Sequence, residues 1–381
     1  MKYVKLGDVA SYINGYAFKP SDYSSEGKPI IRIQNLTGNA YQTNLYNGEI
    51  PQKYLITKGD VLISWSASLG VYEWTGEEAY LNQHIFKVCF DKQPVNKNFF
   101  VHQTAYAIKK ASSQAHGSTM THLTKKVFES ISFAYPSLDK QMSIGAVLDK
   151  VKAQLILNKK YLLYCDELVK SRFIEMFGDP CDSQRSTMSC CPIEKFCEVR
   201  IGPFGSALHK SDYVFGGHAL VNPSHIVKGK IKINKKLAVN EEKYASMKAY
   251  HLKKGDVVLG RRGEIGRCAV VNQEGLLCGT GSMILRPDVH LCLSEYLQHI
   301  VSFPTFAEAL ERDAVGVTMK NLNAKIVENA VVVLPPMSLQ REFISFVHQV
   351  DKLKFETQQS IEKLQMLYDS LAQDYFAPEG D

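Results

Sequence analysis

The sequence lacks the features of a secreted or membrane-spanning protein. It contains no run of about 18 apolar residues, so no transmembrane helix is expected. The first eight residues, Met1 to Asp8, include no apolar signal-peptide core, and we expect a cytoplasmic location. The nine cysteines are odd in number and form no C-x-x-C pair. They are therefore expected to be reduced thiols that fill small core sites.

The sequence also lacks the usual tools of an enzyme that acts on nucleic acids. An adenine methyltransferase needs an Asn-Pro-Pro-Tyr-type loop, and the nearest matches, Val221-Asn-Pro-Ser224 and Leu334-Pro-Pro-Met337, do not complete it. The glycine-rich stretch from Gly260 to Gly266 has neither dinucleotide-binding spacing nor a P-loop lysine. No zinc-ligand spacing occurs among the cysteines and histidines. We expect no catalytic residue, no metal site and no cofactor.

What is present is a chain of 381 residues with a formal net charge of +6 and 45% hydrophobic residues. This length allows two or three domains with cores of their own. The mildly basic balance is compatible with a polyanionic partner without requiring one.

The chain repeats itself at an offset of 199 residues. The segment Gly117-Ser-Thr-Met-Thr-His-Leu123 matches Gly316-Val-Thr-Met-Lys-Asn-Leu322. The same offset places Pro136 on Pro335 and Gln141 on Gln340, and it holds to Phe177 and Phe376. Upstream, Lys58-Gly-Asp-Val61 corresponds to Lys254-Gly-Asp-Val257 at a slightly different offset, as expected where loops differ in length. The pattern predicts one unit used twice, with a variable front part and a more uniform rear part.

The rear parts have the heptad pattern of long helices. Apolar residues recur at alternating spacings of four and three, which is typical of a left-handed coiled coil, and each helix is predicted to run about 34 residues, roughly 50 Å. We expect the two helices to pack on one another antiparallel; the alternative is that each packs separately on its own front part. Polar breaks at Asn158, Arg172, Lys354 and Thr357 are expected to set register.

The front parts have short β-rich runs between turn residues, which predicts a mixed α/β domain with a twisted, mostly irregular sheet. Predicted strands are Ile30–Gln34, Val61–Trp65, Ile85–Phe90, Ile131–Ala134, Ala219–Asn222, Val257–Leu259, Cys268–Val271, Met283–Leu285 and Ala330–Leu334. Helices are predicted near Asn98–Ala111 and Ser294–Arg312.

Polar and basic side chains cluster beside these turns in both front parts. They are residue types that can hydrogen-bond base edges or bind phosphates. The candidates in the first unit are Lys19, Arg32, Gln34, Asn35, Trp65, Ser66, Asn82, Gln83, His84, Thr119, His122 and Lys125. Those in the second are His209, Lys210, Asn222, Ser224, His225, Arg261, Arg262, Arg267, Thr280, Ser282, Thr318, Lys320 and Asn321. The lysine-rich tract from Val227 to Lys236 predicts either a basic strand face or an edge strand protected by lysines.

Together these motifs resemble the specificity subunit of type I restriction-modification systems, over essentially the whole chain. The resemblance depends on the tandem repeat, on Ile30-Ile-Arg-Ile-Gln-Asn-Leu36, on the two Lys-Gly-Asp-Val segments, and on Phe173-Ile-Glu-Met-Phe-Gly-Asp-Pro180 at the end of the first unit.

The resemblance implies an α+β fold in which two α/β target-recognition domains in tandem are separated by two long antiparallel coiled-coil helices with pseudo-two-fold symmetry. The implied division is 1–136 and 192–335 for the recognition domains, 137–178 and 336–377 for the spacer helices, and 179–191 for a linker. Each domain would read one half of a bipartite, asymmetric site on double-stranded DNA. The helices would dock two methyltransferase subunits, and restriction-translocase subunits would complete the complex. A spacer of roughly 50 Å suits half-sites about one duplex turn apart.

Two alternatives remain open at this point. One is a catalytically active single-chain DNA methyltransferase or nuclease with degraded motifs. The other is a coiled-coil scaffold that binds no nucleic acid, for which no salt-dependent DNA affinity would be expected.

Overall fold

The two halves of the sequence repeat share one order of sheet strands and one long rear helix, and the second half adds further short elements. The computed structural model describes residues 2–39, 42–66, 68–114, 124–181, 188–204, 207–314 and 321–377. The described chain divides into two units: Met1–Lys160 with Gln358–Asp381, and Tyr161–Thr357. The predicted division into recognition and spacer segments is a different, functional one, and it stays a prediction.

The first unit begins with ten short strands and the helices between them. The strands are β1 (Tyr3–Lys5), β2 (Ser11–Asn14), β3 (Lys28–Ile31), β4 (Leu45–Tyr46), β5 (Leu55–Ile56), β6 (Val61–Ser64), β7 (Gly70–Glu73), β8 (Ala79–Leu81), β9 (Ile85–Cys89) and β10 (Ser132–Ala134). The helices are α1 (Leu6–Val9), α2 (Ile33–Leu36), α3 (Lys97–Gln114), α4 (Lys125–Glu129) and α5 (Leu138–Phe177), of which α5 continues into the second unit.

The second unit contains the remaining strands and the start of the last helix. The strands are β11 (Cys190–Pro192), β12 (Cys197–Ile201), β13 (His218–Val221), β14 (Ile226–Val227), β15 (Lys230–Ile231), β16 (Ala238–Val239), β17 (His251–Leu252), β18 (Val257–Gly260), β19 (Cys268–Val270), β20 (Leu276–Cys278), β21 (Ser282–Pro287) and β22 (Val331–Val333). The helices are α6 (Glu241–Ser246), α7 (Ser294–Val301), α8 (Pro304–Asp313), α9 (Ala324–Asn329) and α10 (Met337–Phe376).

The sheets of the two units match strand for strand. The first unit has four-stranded sheets in the orders β2-β9-β6-β7 and β4-β3-β8-β5, and the second has β12-β21-β18-β19 and β16-β13-β20-β17. In each unit one pair, β3 with β8 or β13 with β20, is parallel, and the other ladders of these sheets are antiparallel. The second unit adds a separate hairpin of β14 and β15.

The central strands are apolar on both faces because they separate two cores. Val61 and Ile63 of β6 pack among the helices, whereas Leu62 packs between the two sheets. Val257 and Val258 of β18 divide in the same way. A strand buried on both faces appears in sequence as a continuous apolar run rather than an alternating one.

The heptad segments form two helices of equal length, and their bounds are related by the offset of 199: α5 is Leu138–Phe177 and α10 is Met337–Phe376. Each has 40 residues, somewhat more than predicted. The residues of the two predicted seams are all buried or half-buried. They are Ile144, Leu148, Val151, Leu155, Asn158, Leu162, Cys165, Val169, Arg172 and Met176, and Phe343, Val347, Val350, Lys354, Thr357, Ile361, Leu364, Tyr368, Leu371 and Tyr375.

The two long helices run antiparallel, as predicted. In the first unit the Asn158 amide donates to the Ser360 hydroxyl at 3.0 Å. In the second, Lys354 pairs with Asp166 at 2.6 Å and Arg172 with Glu342 at 2.8 Å. Three of the four predicted polar breaks therefore bond across the helix pair, which suits a role in register.

The core of each unit includes residues from the start of one long helix and from the end of the other. Phe376, in the last turn of α10, lies against Phe99 of α3 in the first unit, with ring centroids 5.5 Å apart. Phe177, in the last turn of α5, lies against Tyr296 of α7 in the second, at 5.2 Å. Phe376 and Phe177 are equivalent by the offset of 199, so the two contacts are counterparts. The predicted packing of the two helices on one another is thus confirmed, whereas the sequence did not predict that each helix also packs on a front part.

The repeated glutamines fasten the start of each long helix. Gln141 is fully buried, accepts the Asn96 N–H at 2.9 Å and donates to the Pro136 carbonyl at 2.9 Å. Gln340 is equally buried and bonds the Leu293 N–H at 2.8 Å and the Pro335 carbonyl at 2.8 Å. Because both ends of each buried amide are satisfied, this proline–glutamine motif is structural.

The Lys-Gly-Asp-Val motif has a structural role as well. Its aspartate closes the turn before the central strand: Asp60 accepts the Thr57 N–H and Asp256 accepts the Lys253 N–H, each at 2.8 Å. The same carboxylate pairs with a cation on the neighbouring strand. This cation is Lys87 at 2.9 Å in the first unit, and in the second it is Arg286, which reaches both carboxylate oxygens of Asp256 at 2.7 and 2.8 Å.

Three local predictions were wrong. The run Ile30–Gln34 is not one strand, because β3 ends at Ile31 and Arg32 caps helix α2. The helix Ser294–Arg312 is broken between α7 and α8, where Pro304 occupies the first helical position. Each front part contains two four-stranded sheets rather than a single irregular one, because strands of two or three residues were too short to be recognised from their alternation.

Among the residues that the structure describes, no helix is long and apolar enough to cross a membrane.

We predict that Asp256→Asn lowers the free energy of unfolding by about 3 kcal/mol or more, because it leaves Arg286 without its buried carboxylate. Asp60→Asn should cost less, because the Asp60 side chain is 22% exposed against 2% for Asp256. Denaturant titration of both variants measures the difference. Glu198→Gln is a control, since Glu198 is half-exposed beside the same arginine at 3.8 Å. Equal losses of unfolding free energy in the Asp256→Asn and Asp60→Asn variants would contradict the stabilising role assigned to the buried Asp256–Arg286 ion pair.

Candidate nucleic-acid interface

Several predicted residues of the second unit meet where its strands end. Asn222 follows β13 and Thr280 follows β20, and because these two strands are parallel their carboxyl ends lie at one edge. Arg261 follows β18, and its N–H donates to the Gly281 carbonyl at 2.9 Å, which joins the second sheet to the same edge. The local reason is simple: each strand ends where the polar turn sequence begins.

Arg261 is the central residue of this edge. It is only 5% exposed, and its Nε donates to the Asn321 side-chain oxygen at 2.9 Å. Its guanidinium carbon lies 6.0 Å from the ring centroid of Phe204, whose side chain is 61% exposed. Burial, together with the neighbouring Arg262, lowers the pKa of Arg261. An arginine pKa begins so far above neutrality that the side chain keeps its charge.

Two further arginines flank Arg261. Arg267 donates to the Pro223 carbonyl at 3.4 Å and pairs with Glu264. Arg262 is exposed, and its backbone forms an isolated β-bridge with Asn321. We call the group of Asn222, Arg261, Arg262, Arg267, Thr280 and Asn321 the Arg261 cluster.

Close chain approach at this edge requires glycine. A Cβ on Gly279 would lie 2.1 Å from the Asn222 side-chain oxygen, and one on Gly202 would lie 2.1 Å from the Gly279 carbonyl. In the first unit a Cβ on Gly15 would lie 2.2 Å from the Asn82 carbonyl. The two units are thus built alike at their strand ends.

In the first unit the equivalent edge has a different set of side chains. Arg32 follows β3 and lies 4.8 Å over the ring of Tyr23. Trp65 follows β6 and stacks on Phe86 at 5.7 Å, with the exposed His84 ring 5.4 Å away. Ser66 is buried beside Trp65, and the Asn82 N–H donates to the Ile31 carbonyl at 3.0 Å. The edge of the first unit therefore has one arginine, Arg32, together with aromatic rings, where the second unit has three arginines.

Some candidates have their polar groups already engaged in local turns. Asn35 accepts the Arg32 N–H at 2.9 Å and donates to Thr43 at 3.0 Å. His225 is buried, with Nδ1 2.9 Å from the Leu220 carbonyl, and Ser282 is buried completely. Gln34 and Ser224 are exposed in the first turn after their strands, and Gln83 lies 3.3 Å from His84.

Other candidates lie away from these edges or outside the described residues. Lys19 and His209 directly precede 3-10 turns that end at Asp22 and Asp212, and these aspartates accept their backbone N–H groups. Lys125 begins α4, with its Nζ 3.7 Å from Glu129. Lys210 is the first residue of the 3-10 turn that contains Asp212, and its side chain is not among those that the structure describes. Thr119, His122, Thr318 and Lys320 also fall outside the described residues.

Sequence reasoning missed Phe204 as a member of the second edge. Its signal is the Gly-Pro-Phe turn directly after β12, but an exposed phenylalanine has no polar atom to draw attention to it. The edges together offer hydrogen-bond donors, fixed positive charge and aromatic faces, which suit base edges and phosphates. Among the residues described, no group of three or more His, Cys, Asp or Glu side chains is placed to hold a metal ion.

Comparison with known proteins agrees with this architecture. A family model described as the type I restriction modification DNA specificity domain matches residues 1–163 and 209–366. The type I restriction enzyme EcoBI specificity subunit of Escherichia coli is 24% identical over 94% of this chain and 80% of its own length. The MjaVIII specificity subunit of Methanocaldococcus jannaschii is 20% identical over 94% of this chain and 89% of its own.

Two solved structures share the fold. A chain from a structural study of complex assembly and conformational transition in a type I restriction-modification system has a TM-score of 0.60 at 16% identity, over 98% of this chain and 97% of that one. The S subunit from M. genitalium has a TM-score of 0.54 at 13% identity, over 99% and 96%. Because the family model covers both repeats of the sequence, this chain belongs to the type I restriction-modification DNA specificity family.

Proposed function

We propose that this chain is the non-catalytic, sequence-reading subunit of a type I complex, and that each front part reads one half of a bipartite, asymmetric DNA site. The observation that carries the proposal is the repeated strand-end edge, which has the same strand order in both units and different side chains. Equal scaffolds present the two half-sites with equal geometry, whereas unequal side chains select different bases. The relatives named above are called specificity subunits, and we place catalysis in partner chains.

We further propose that the long helices dock two methyltransferase subunits and, with them, restriction-translocase subunits. In the second unit the outward side of α5 exposes large apolar side chains at helical spacing: Tyr161 is 48% exposed, Tyr164 56% and Leu168 49%. Apolar side chains at positions i, i+3 and i+7 lie on one helix face, which is the surface a partner helix requires. The offset of 199 places polar Ser360 and Lys363 at two of the three equivalent positions of α10.

The bipartite model is tested by mapping methylated adenines after co-expression with the methyltransferase. We expect a motif of two unlike halves with a fixed gap, and exchange of residues 1–136 for those of a relative should change one half. A change in both halves would disprove modular reading. Methylation by the purified chain alone would instead support the enzyme alternative.

Arg261→Ala should cost about 1–3 kcal/mol at one position of one half-site, because it removes a positioned guanidinium from the strand-end edge. Competition binding with single-base variants of the site measures the loss. Arg262→Ala is the matched control; as an exposed cation it should weaken all sequences alike and lower the salt slope by about 1. Thermal melting of each variant checks the fold, since Arg261 is buried. If a folded Arg261→Ala variant kept the wild-type base preference, Arg261 would not contribute to base recognition.

Tyr164→Glu with Leu168→Glu should abolish co-purification with the methyltransferase, because a partner would have to bury two carboxylates. Lys170→Glu is the control: it also places a carboxylate on α5, but off the Tyr161, Tyr164 and Leu168 face. Full co-purification of the double variant would exclude this face as the docking surface.

A further inference from the structure

The hairpin of β14 and β15 is a fixed element of the second unit. Its two-residue turn, Lys228 and Gly229, has φ values of 49° and 72° at consecutive positions. Positive φ at both central residues is the geometry of a type I′ turn, which matches the twist of a tight hairpin. The Gln298 amide donates to the Gly229 carbonyl at 3.1 Å, and this bond holds the turn against α7.

Alternation along the hairpin separates an apolar inner face from a basic outer face. Ile226 pairs with Ile231, and these two pack into the core of the unit. Val227 pairs with Lys230 on the opposite face, and Lys232, the first residue after β15, is exposed as well. The inner face therefore fixes the direction in which the lysines project.

The positive charge of this segment is not neutralised within the described structure. Lys228, Lys230, Lys232, Lys235 and Lys236 are all exposed, and none forms an ion pair with a described acidic side chain. The sequence between His225 and Glu241 contains no aspartate or glutamate. By contrast, Lys243 just beyond it pairs with Asp212 at 3.1 Å. Five like charges within nine residues, held on a rigid support, require a polyanionic partner or bulk solvent.

Among the described residues, the hairpin has no counterpart in the first unit. The strands on either side of it, β13 and β16, correspond to β3 and β4. Between β3 and β4 the described residues form only the short helix α2, and no lysine or arginine occurs from Ile33 to Asn44. The charge is thus an addition to one unit rather than part of the shared scaffold.

The hairpin begins at the strand-end edge that carries the Arg261 cluster. β14 follows directly after the Pro223–His225 turn, and the Pro223 carbonyl accepts a hydrogen bond from Arg267 of the Arg261 cluster. The Lys232 N–H donates to the His225 carbonyl at 2.7 Å, which fastens the second strand to the same turn.

We infer that the hairpin is a backbone clamp, in which Lys228, Lys230 and Lys232 bind phosphates of the DNA beside the half-site that the second unit reads. The inference rests on the proposed function. Protection of an edge strand by lysines is the competing explanation. It accounts less well for Lys228, which lies in the turn, and for Lys235 and Lys236, which follow the hairpin, because none of the three occupies a pairing position on a strand.

The test measures DNA affinity of the full chain, in complex with its methyltransferase, as a function of salt. Each phosphate contact contributes about 0.9 to the slope of log affinity against log salt. We expect the triple variant Lys228→Gln, Lys230→Gln and Lys232→Gln to lower this slope by about 3. The methylated sequence should stay unchanged, because phosphate contacts position the protein without reading bases.

Two matched variants complete the design. Lys195→Gln, Lys253→Gln and Lys254→Gln remove the same charge from the same unit. Lys195 precedes β12, and Lys253 and Lys254 precede β18, so all three lie at the strand ends opposite to Arg261, and the slope should not change. The triple variant Lys228→Arg, Lys230→Arg and Lys232→Arg should keep the wild-type slope, and this result would show that the positive charge is responsible.

The outcomes separate the hairpin from the wider proposal. A triple glutamine variant with a wild-type slope overturns the clamp, and if that variant also self-associates, the lysines protect an edge. A slope reduced equally by the control triple overturns the assignment to the hairpin. If the wild-type complex shows no salt-dependent affinity for any duplex, the proposed function itself fails.

Discussion

The burial of one aromatic ring at the end of each long helix is the contact on which the rest of the fold depends. Phe376 completes the core around Phe99, and Phe177 completes the core around Tyr296. Phe376 is only 4% exposed and Phe177 only 3%, so each is a full part of a core that begins far away in sequence. A buried phenylalanine contributes several kcal/mol, which makes the first unit incomplete without the last turn of the chain. The two repeats are therefore joined thermodynamically as well as covalently.

This constraint explains which residues are the same in both repeats. Gln141 and Gln340 hold the start of each helix, and Asp60 and Asp256 close the turn before each central strand. These side chains are buried or bonded within the scaffold, so they cannot also contact a ligand freely. The residues that repeat in the sequence belong to the structural scaffold, and the two repeats differ in the residues that follow the strand ends.

The two strand-end edges differ in the chemistry of their side chains. The second edge is built around Arg261, held at Nε by Asn321, whereas the first is built around Trp65 stacked on Phe86. A guanidinium offers directed donors and an indole offers an apolar face with one donor, so the two edges cannot favour the same groups. The lysine hairpin adds charge to only one of them. The two strand-end edges therefore carry different side-chain chemistry on scaffolds that have the same strand order.

The sequence by itself determined the long helices, because heptad periodicity and helix length are local properties that survive without a structure. The offset of 199 carries Leu138 to Met337 and Phe177 to Phe376, and these are the observed ends. It also located most of the polar turns, since turn residues follow each strand directly. Only the tertiary structure decided that the end of α10 belongs to the first unit, because periodicity does not say which distant core a helix enters. The same holds for the turns: Asn35 and Arg261 are equally polar in sequence, but one is engaged in a cap while the other is held at an edge.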